Sequence, residues 1–331
     1  MLRGGVGIVS QFGVESVEGT AVAANRFTPT LSWMLQRNIE TKSFRARGSR
    51  VNTSKYQHKK MASGSVEGIL DYNSIMYVLS GLFNHPTRTQ IGGIQAFQGI
   101  WIPGVRTADN TRKTYTVEIG DATAAERYAY TQLKGLDLEA GQDDFTLKSD
   151  AIARYPLDNQ TITGAPVEVP ERPVERNDIN VYIDDSFAQL GTTQITHAQA
   201  ESLSLGDKYK EAFFHNRSAG EFEDVVETPY EPKFTFEMAH NAQSRALIAT
   251  IKDDPYKYVR WEAQGALLGV SGGNVYELIR IDMCGKFEEP EPLVNDDEPY
   301  AYKYTMELLP DTSLGSYMRI TNINSIPVAS F

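Results

Sequence analysis

Cysteine is almost missing from this chain of 331 residues: Cys284 is the only one. A single cysteine excludes an internal disulfide framework and a cysteine-rich zinc site, and leaves a buried free thiol as its expected state. Long apolar runs are missing as well. No stretch approaches the roughly 20 apolar residues of a membrane span, and the opening MLRGGVGIVS lacks the apolar core of a secretory signal. The expectation is therefore a protein made and folded in a cytoplasm, without membrane insertion. Positive charge is also in deficit. The net charge of −11 excludes a general nucleic-acid binder, which is usually basic.

Catalytic and metal-binding patterns are absent too. His58, His85, His197, His215 and His240 show no HxH or HxxxH spacing. The stretch GVSGG over 269–273 matches a nucleophile elbow in form, but no histidine follows His240, and that fold needs its histidine after the serine. A tight glycine-rich turn is the better reading. Gly4, Gly5 and Gly7 lack the preceding strand and the third glycine of a dinucleotide loop. The pairs Asp143-Asp144, Asp253-Asp254 and Asp296-Asp297 lack the alternating spacing of a calcium loop and read as solvated turns. The sequons at Asn52, Asn159 and Asn216 carry no weight without a secretory signal. No catalytic residue, metal or cofactor is expected.

What the sequence does contain is β-favouring segments in a repeated order. A proline-rich connector, 161–178 with Pro166, Pro170 and Pro173, divides the chain into two units, 1–160 and 179–331. Each opens with a strand, at 27–35 and 179–183, followed by a long polar excursion, 36–63 and 191–232. Each continues with a strand running into a helix: 65–70 into 71–83, with Asp71 as N-cap, and 233–238 into 242–251. Three further strands follow in each half, at 114–119, 128–138 and 145–155, then at 276–284, 300–309 and 317–323. The expected class is mainly β with a few helices (α+β), as two similar β-rich domains with one flanking helix apiece. Two unrelated β domains remain the other reading.

Charge is placed unevenly. Residues 37–60 carry eight cations, Arg37, Lys42, Arg45, Arg47, Arg50, Lys55, Lys59 and Lys60, against Glu40 alone. This segment is +7 and the rest of the chain −18. A solvated loop and a nucleic-acid contact are two readings; docking against an acidic neighbour is the third, since complementary charge steers association and fixes register.

The stretch FGVESVEGTAVAANRF over 12–27 resembles the opening of tail tube proteins of long-tailed bacteriophages. GSVEGILDY over 64–72, KTYTVEIGD over 113–121 and YKYTMELLP over 302–310 extend the resemblance through most of 12–160 and more weakly through the second half. It implies tandem tail-tube-type β-sandwich domains, each with a flanking helix, whose sheets join a shared oligomeric barrel around a channel for double-stranded DNA. It implies a structural virion protein, not an enzyme, with stacked rings of itself, a tape measure protein and tail terminator or distal tail proteins as partners. DNA passes through without specific binding. A ring of three two-domain chains is expected, with six as the alternative. The basic segment corresponds to the family's stacking hairpin, so Arg45, Arg47, Arg50, Lys55, Lys59 and Lys60 are the expected contacts between rings. Many members have half this length, and others carry an immunoglobulin-like C-terminal module; the strand–helix order of the second half favours two tube domains. Other virion components (a distal tail or decoration protein) and a carbohydrate-binding or hydrolytic module are the alternatives.

Overall fold

A computed structural model describes residues 8–105, 111–141, 144–214, 220–293 and 300–327. The protein is mainly β with two α-helices among the described residues. In the first half the principal elements are β1 (Val9–Val14), β2 (Leu31–Phe44), β3 (Ser54–Ile69), α1 (Ile75–Leu82), β4 (Phe97–Trp101), β5 (Tyr115–Gly120), β6 (Ala125–Leu133), β7 (Asp137–Ala140) and β8 (Phe145–Ala153). In the second they are β9 (Ile179–Asp184), β10 (Ala198–Ser204), β11 (Lys233–Ala239), α2 (Ala242–Asp253), β12 (Tyr256–Val270), β13 (Asn274–Phe287), β14 (Glu291–Leu293), β15 (Ala301–Leu308) and β16 (Met318–Asn324).

The strands of each half pair along one path, all antiparallel. In the first half it runs β1, β5, β6, β8, β3, β2. In the second it runs β9, β12, β13, β15, β11, β10. The helix follows the fifth strand of the path in both. This corrects the element order expected from sequence. The counterpart of β5 is β12, which carries no simple alternation, and β16 is an extra strand that pairs with β4 of the first half.

A second outcome concerns 36–63: of the two forms expected, a solvated loop and a hairpin, it takes the hairpin, with β2 and β3 paired along their length and only 45–53 forming the turn. Gly64 lets the two strands close, because a Cβ there would lie 1.8 Å from the Met34 carbonyl oxygen. A third concerns Asp71. Ser74 is the N-cap of α1, while the Asp71 carboxylate accepts from the Asn73 and Ser74 N–H groups at 2.8 Å each. Helix α2 begins as expected, with Asn241 accepting from Ser244 N at 2.8 Å.

The halves share a sheet and a core. β7 pairs with β8 on one side and with β10 on the other, so β2, β3, β8, β7, β10, β11, β15 and β14 form one continuous surface. One row on its inner face reads Leu31, Gly68, Leu147, Leu138, Leu203, Phe234, Met306, each opposite the next. In the first half Phe12 anchors an aromatic cluster, its ring centroid 4.7 Å from Trp33, 5.1 Å from Tyr77 and 5.6 Å from Tyr115. Beside it the buried Glu15 carboxylate accepts from Gly19 N, Thr114 Oγ1, Thr116 Oγ1 and Tyr130 N at 2.7–2.9 Å, which offsets the cost of burying its charge. The excursion after β10 folds back on α1, where Lys208 Nζ and Tyr209 Oη donate to the Leu82 carbonyl at 3.2 and 2.9 Å. Residues 161–175 run along the first half and are bonded to it, with Val167 N donating to Asn25 O and Val174 N to Leu70 O, and Arg176–Asp178 form a single 3-10 turn before β9. Cys284 is fully buried, and burial pushes its thiol up to about 11.

Candidate functional site: a charged sheet face and a projecting hairpin

Strand alternation places every second side chain of the shared surface on its solvent side. Reading across the strands, one row is Ser32, Glu67, Lys148, Asp137, Ser204, Lys233, Glu307. The next begins at Ile69 and continues through Thr146, Glu139, Ser202, Thr235 and Thr305. Opposite charges face each other at Glu67–Lys148–Asp137, Lys233–Glu307 and Glu237–Lys303, pairs that favour this register. Ser204 Oγ adds a 2.6 Å hydrogen bond to Asp137. With Asp150, and with Glu291 opposite Lys303, the face presents seven acids, Glu67, Asp137, Glu139, Asp150, Glu237, Glu291 and Glu307, against Lys148, Lys233 and Lys303. Serine and threonine fill most of the rest.

From one rim of this surface the β2–β3 hairpin projects. Inward burial on β2 stops at Leu35; from Gln36 to Phe44 every residue is exposed. At about 3.3 Å per residue the eight positions from Arg37 to Phe44 extend roughly 25 Å. The base of the arm is anchored. The Arg37 guanidinium bridges Glu126 and Asp158 and lies 5.9 Å from the Tyr155 ring centroid. Lys60 N donates to Gly220 O at 2.9 Å.

The six cations expected to make contacts divide into two groups. Arg45, Arg47, Arg50 and Lys55 stand at or beside the tip, in solvent. Lys59 and Lys60 are engaged within the chain: their ammonium groups lie over the rings of Phe213 at 4.2 Å and Tyr155 at 5.6 Å. Phe44, Val51 and Tyr56 are exposed beside the tip cations.

Protein-family models and curated proteins yield no match to this chain. The site therefore rests on its own geometry.

The opposite rim, near Ala140, Gly141, Asp144, Phe145 and residues 198–201, has the other sign. Glu139, Asp144, Glu201 and Glu237 line an open groove there, with Lys303 as its cation. Glu201 stands on the inner side of β10, opposite Ala140 and Phe236. Burial pushes its carboxyl up to about 7 against the opposing pull of Arg176. Of these acids sequence reasoning named only Asp144, as part of a solvated turn; Glu139, Glu201 and Glu237 stand on three different strands, and only register collects them. Of the other sequence candidates, Ser271 lies in the tight turn between β12 and β13, with Gly272 at φ +67°. Asp143, Asn216, His215 and the pair Asp296-Asp297 lie outside the described residues, as do Gly4, Gly5 and Gly7. Among the described residues no three His, Cys, Asp or Glu side chains converge on a metal position, and no helix is long and apolar enough to cross a membrane.

Proposed function

We propose that this chain is the tail tube subunit of a long-tailed bacteriophage, a structural virion protein that polymerises as stacked rings around a channel for DNA. The observation that carries the reading is the shared pairing path of the two halves, set side by side through β7 and β10. Two tandem tube domains thereby contribute eight strands to one surface. Three chains supply about 24 strands, more than the 22-stranded barrels whose lumen holds a plug. The solvent face of that surface lines the channel. Its acids, serines and threonines offer phosphate no basic carpet, so DNA slides past without binding.

The arm and the groove complete the stack. A hairpin with four free cations at its tip leaves one rim, and the acids Glu139, Asp144, Glu201 and Glu237 lie at the other. In a stack the arm of one ring reaches the next, and charge complementarity sets the rotation between them. Negative-stain electron microscopy of concentrated protein tests the function directly: rings or tubes are expected, with three chains per ring by mass. A monodisperse monomer at every concentration sinks the reading, and six chains per ring, with the second half outside, sinks the tandem-domain part of it.

A further inference from the structure

Inside the chain, the junction between the halves is a strand added to an edge. β7 lies on β8 and offers its other side to β10. The turn bond from Gly141 N to Asp144 O sets the alternation, so Glu139 and Asp137 bond β8 while Leu138 and Ala140 face β10. Leu205 N donates to Leu136 O at 2.9 Å in the same ladder. In the second half β14 lies on β15 as β7 lies on β8, and among the described residues nothing pairs with its other side. In the first half β2, which takes the place of β10 in the path, pairs with β3 alone. The bond from Ile69 N to Thr30 O assigns even-numbered β2 residues to β3, so the backbone groups of Leu35 face outward. Two positions before it the Trp33 N–H is taken, donating to Ser10 Oγ at 3.2 Å, so each chain carries an unfilled β14 edge and a β2 edge open at Leu35.

The registers say which residues would meet. Ile69 and Ala239 end the strands that precede the two helices. Aligning them matches Gly64 with Phe234, and so matches their partners Leu35 and Leu203. The same alignment matches Gly68 with Met238. Their partners are Leu147 and Tyr302, which lie opposite Leu138 and Pro292. We infer that β14 of one copy adds to the β2 edge of a second copy, Pro292 opposite Leu35 and Leu293 opposite Met34, repeating the internal contact of Leu138 with Leu203. This contact joins unlike surfaces, so it builds a ring when its rotation closes.

The repeat is imperfect at one point. Proline has no N–H, so in the β14–β15 ladder Glu291 and Leu293 bond β15 and Pro292 faces outward, with Pro290 two positions before it. The junction between copies therefore receives carbonyl groups but no N–H groups from these positions, half the hydrogen bonds of the internal junction. Edge prolines defend against indiscriminate strand addition. Here they make the contact between copies weaker than the contact within one, so single chains stay apart until ring and stacking contacts act together. The inference deepens the tube reading and rests on it.

Met34 is exposed and the native Cys284 is fully buried, so paired substitutions Met34→Cys and Leu293→Cys report the contact without interference. Oxidation of the assembled variant should give a ladder of covalent oligomers, and Pro292→Thr should lower the concentration needed for assembly roughly tenfold by restoring a donor. Tubes that form without cross-linking, with an unmoved threshold for Pro292→Thr, overturn the junction and leave the tube reading intact. Cross-linked oligomers that never stack leave the junction intact and sink the tube reading. Failure of wild type and Pro292→Thr alike to associate at the highest soluble concentration sinks both.

Discussion

Leu203 of the second half lies directly opposite Leu138 of the first, and both are buried. Neither half can leave the other without exposing this pair and its neighbours Leu147 and Phe234. Urea titration should accordingly show one unfolding transition for the whole chain. Leu203→Ala should lower its free energy by about 2–5 kcal/mol, the usual cost of such a core truncation. Two separated transitions would mean that the halves hold together independently of this contact.

Glu15 makes a sharper case for buried polarity. Glu15→Ala strands donors on Gly19, Thr114, Thr116 and Tyr130. Each buried group left unsatisfied costs about 1–3 kcal/mol, so the expected loss is at least about 3 kcal/mol in the same titration. Wild-type stability in this variant would contradict the role given to the carboxylate.

Two carboxyl groups should give opposite pH signatures. The folded structure raises Glu201 from its ordinary 4.5 to about 7 through burial. Its ionisation therefore costs stability progressively as pH climbs from 4.5 through 7, and Glu201→Gln should stabilise the protein at pH 8 but not at pH 4. Glu118 is shifted the other way. Burial alone would raise it, but hydrogen bonds from Thr163 and Gln11 and the charge of Arg127 outweigh that and hold it below 4.5. Its contribution is present above 4.5 and lost as pH falls through the folded value, so Glu118→Gln should destabilise at pH 7 and become neutral in acid. Thermal melts across pH 3–9 check both signs.

The arm should be dispensable for folding and required for growth. Arg45→Glu, Arg47→Glu and Arg50→Glu sit at an exposed tip, where substitutions usually change stability by no more than about 0.5 kcal/mol each. The triple variant should melt like wild type yet form no tubes, and wild-type growth measured by light scattering should weaken as salt shortens the reach of exposed charges. Normal tubes from the triple variant would remove the arm from the contact between rings.

The sheet face should repel DNA only while it is acidic. Tubes carrying Glu67→Lys, Asp150→Lys and Glu307→Lys, all outside the groove that takes the arm, are expected to retain double-stranded DNA at low salt, whereas wild-type tubes release it. Equal release by both, in a co-sedimentation assay, would place that face away from the channel.

Where one face of an element is buried and the other is wet, the amino-acid order alone determined what forms. The Lys233–Ala239 strand alternates exposed or half-buried positions with buried Phe234, Phe236 and Met238, and α2 falls where its periodicity puts it. The charge of 37–60 was legible for the same reason, since charge needs no partner to be read. Pairing was not. The outer β2–β3 hairpin has water on both sides and shows no alternation. The inner part of β12 is buried on both sides, from Lys257 to Val259 and from Trp261 to Ala263, and hides its period in the opposite way. The choice of β10 as partner for β7, the gathering of Glu139, Asp144, Glu201 and Glu237 on one rim, and the bond from Lys208 to Leu82 across 126 positions were decided only by tertiary structure. Side-chain period is a local property of a strand, whereas register is set by what the whole sheet can bury, and no single segment contains that information.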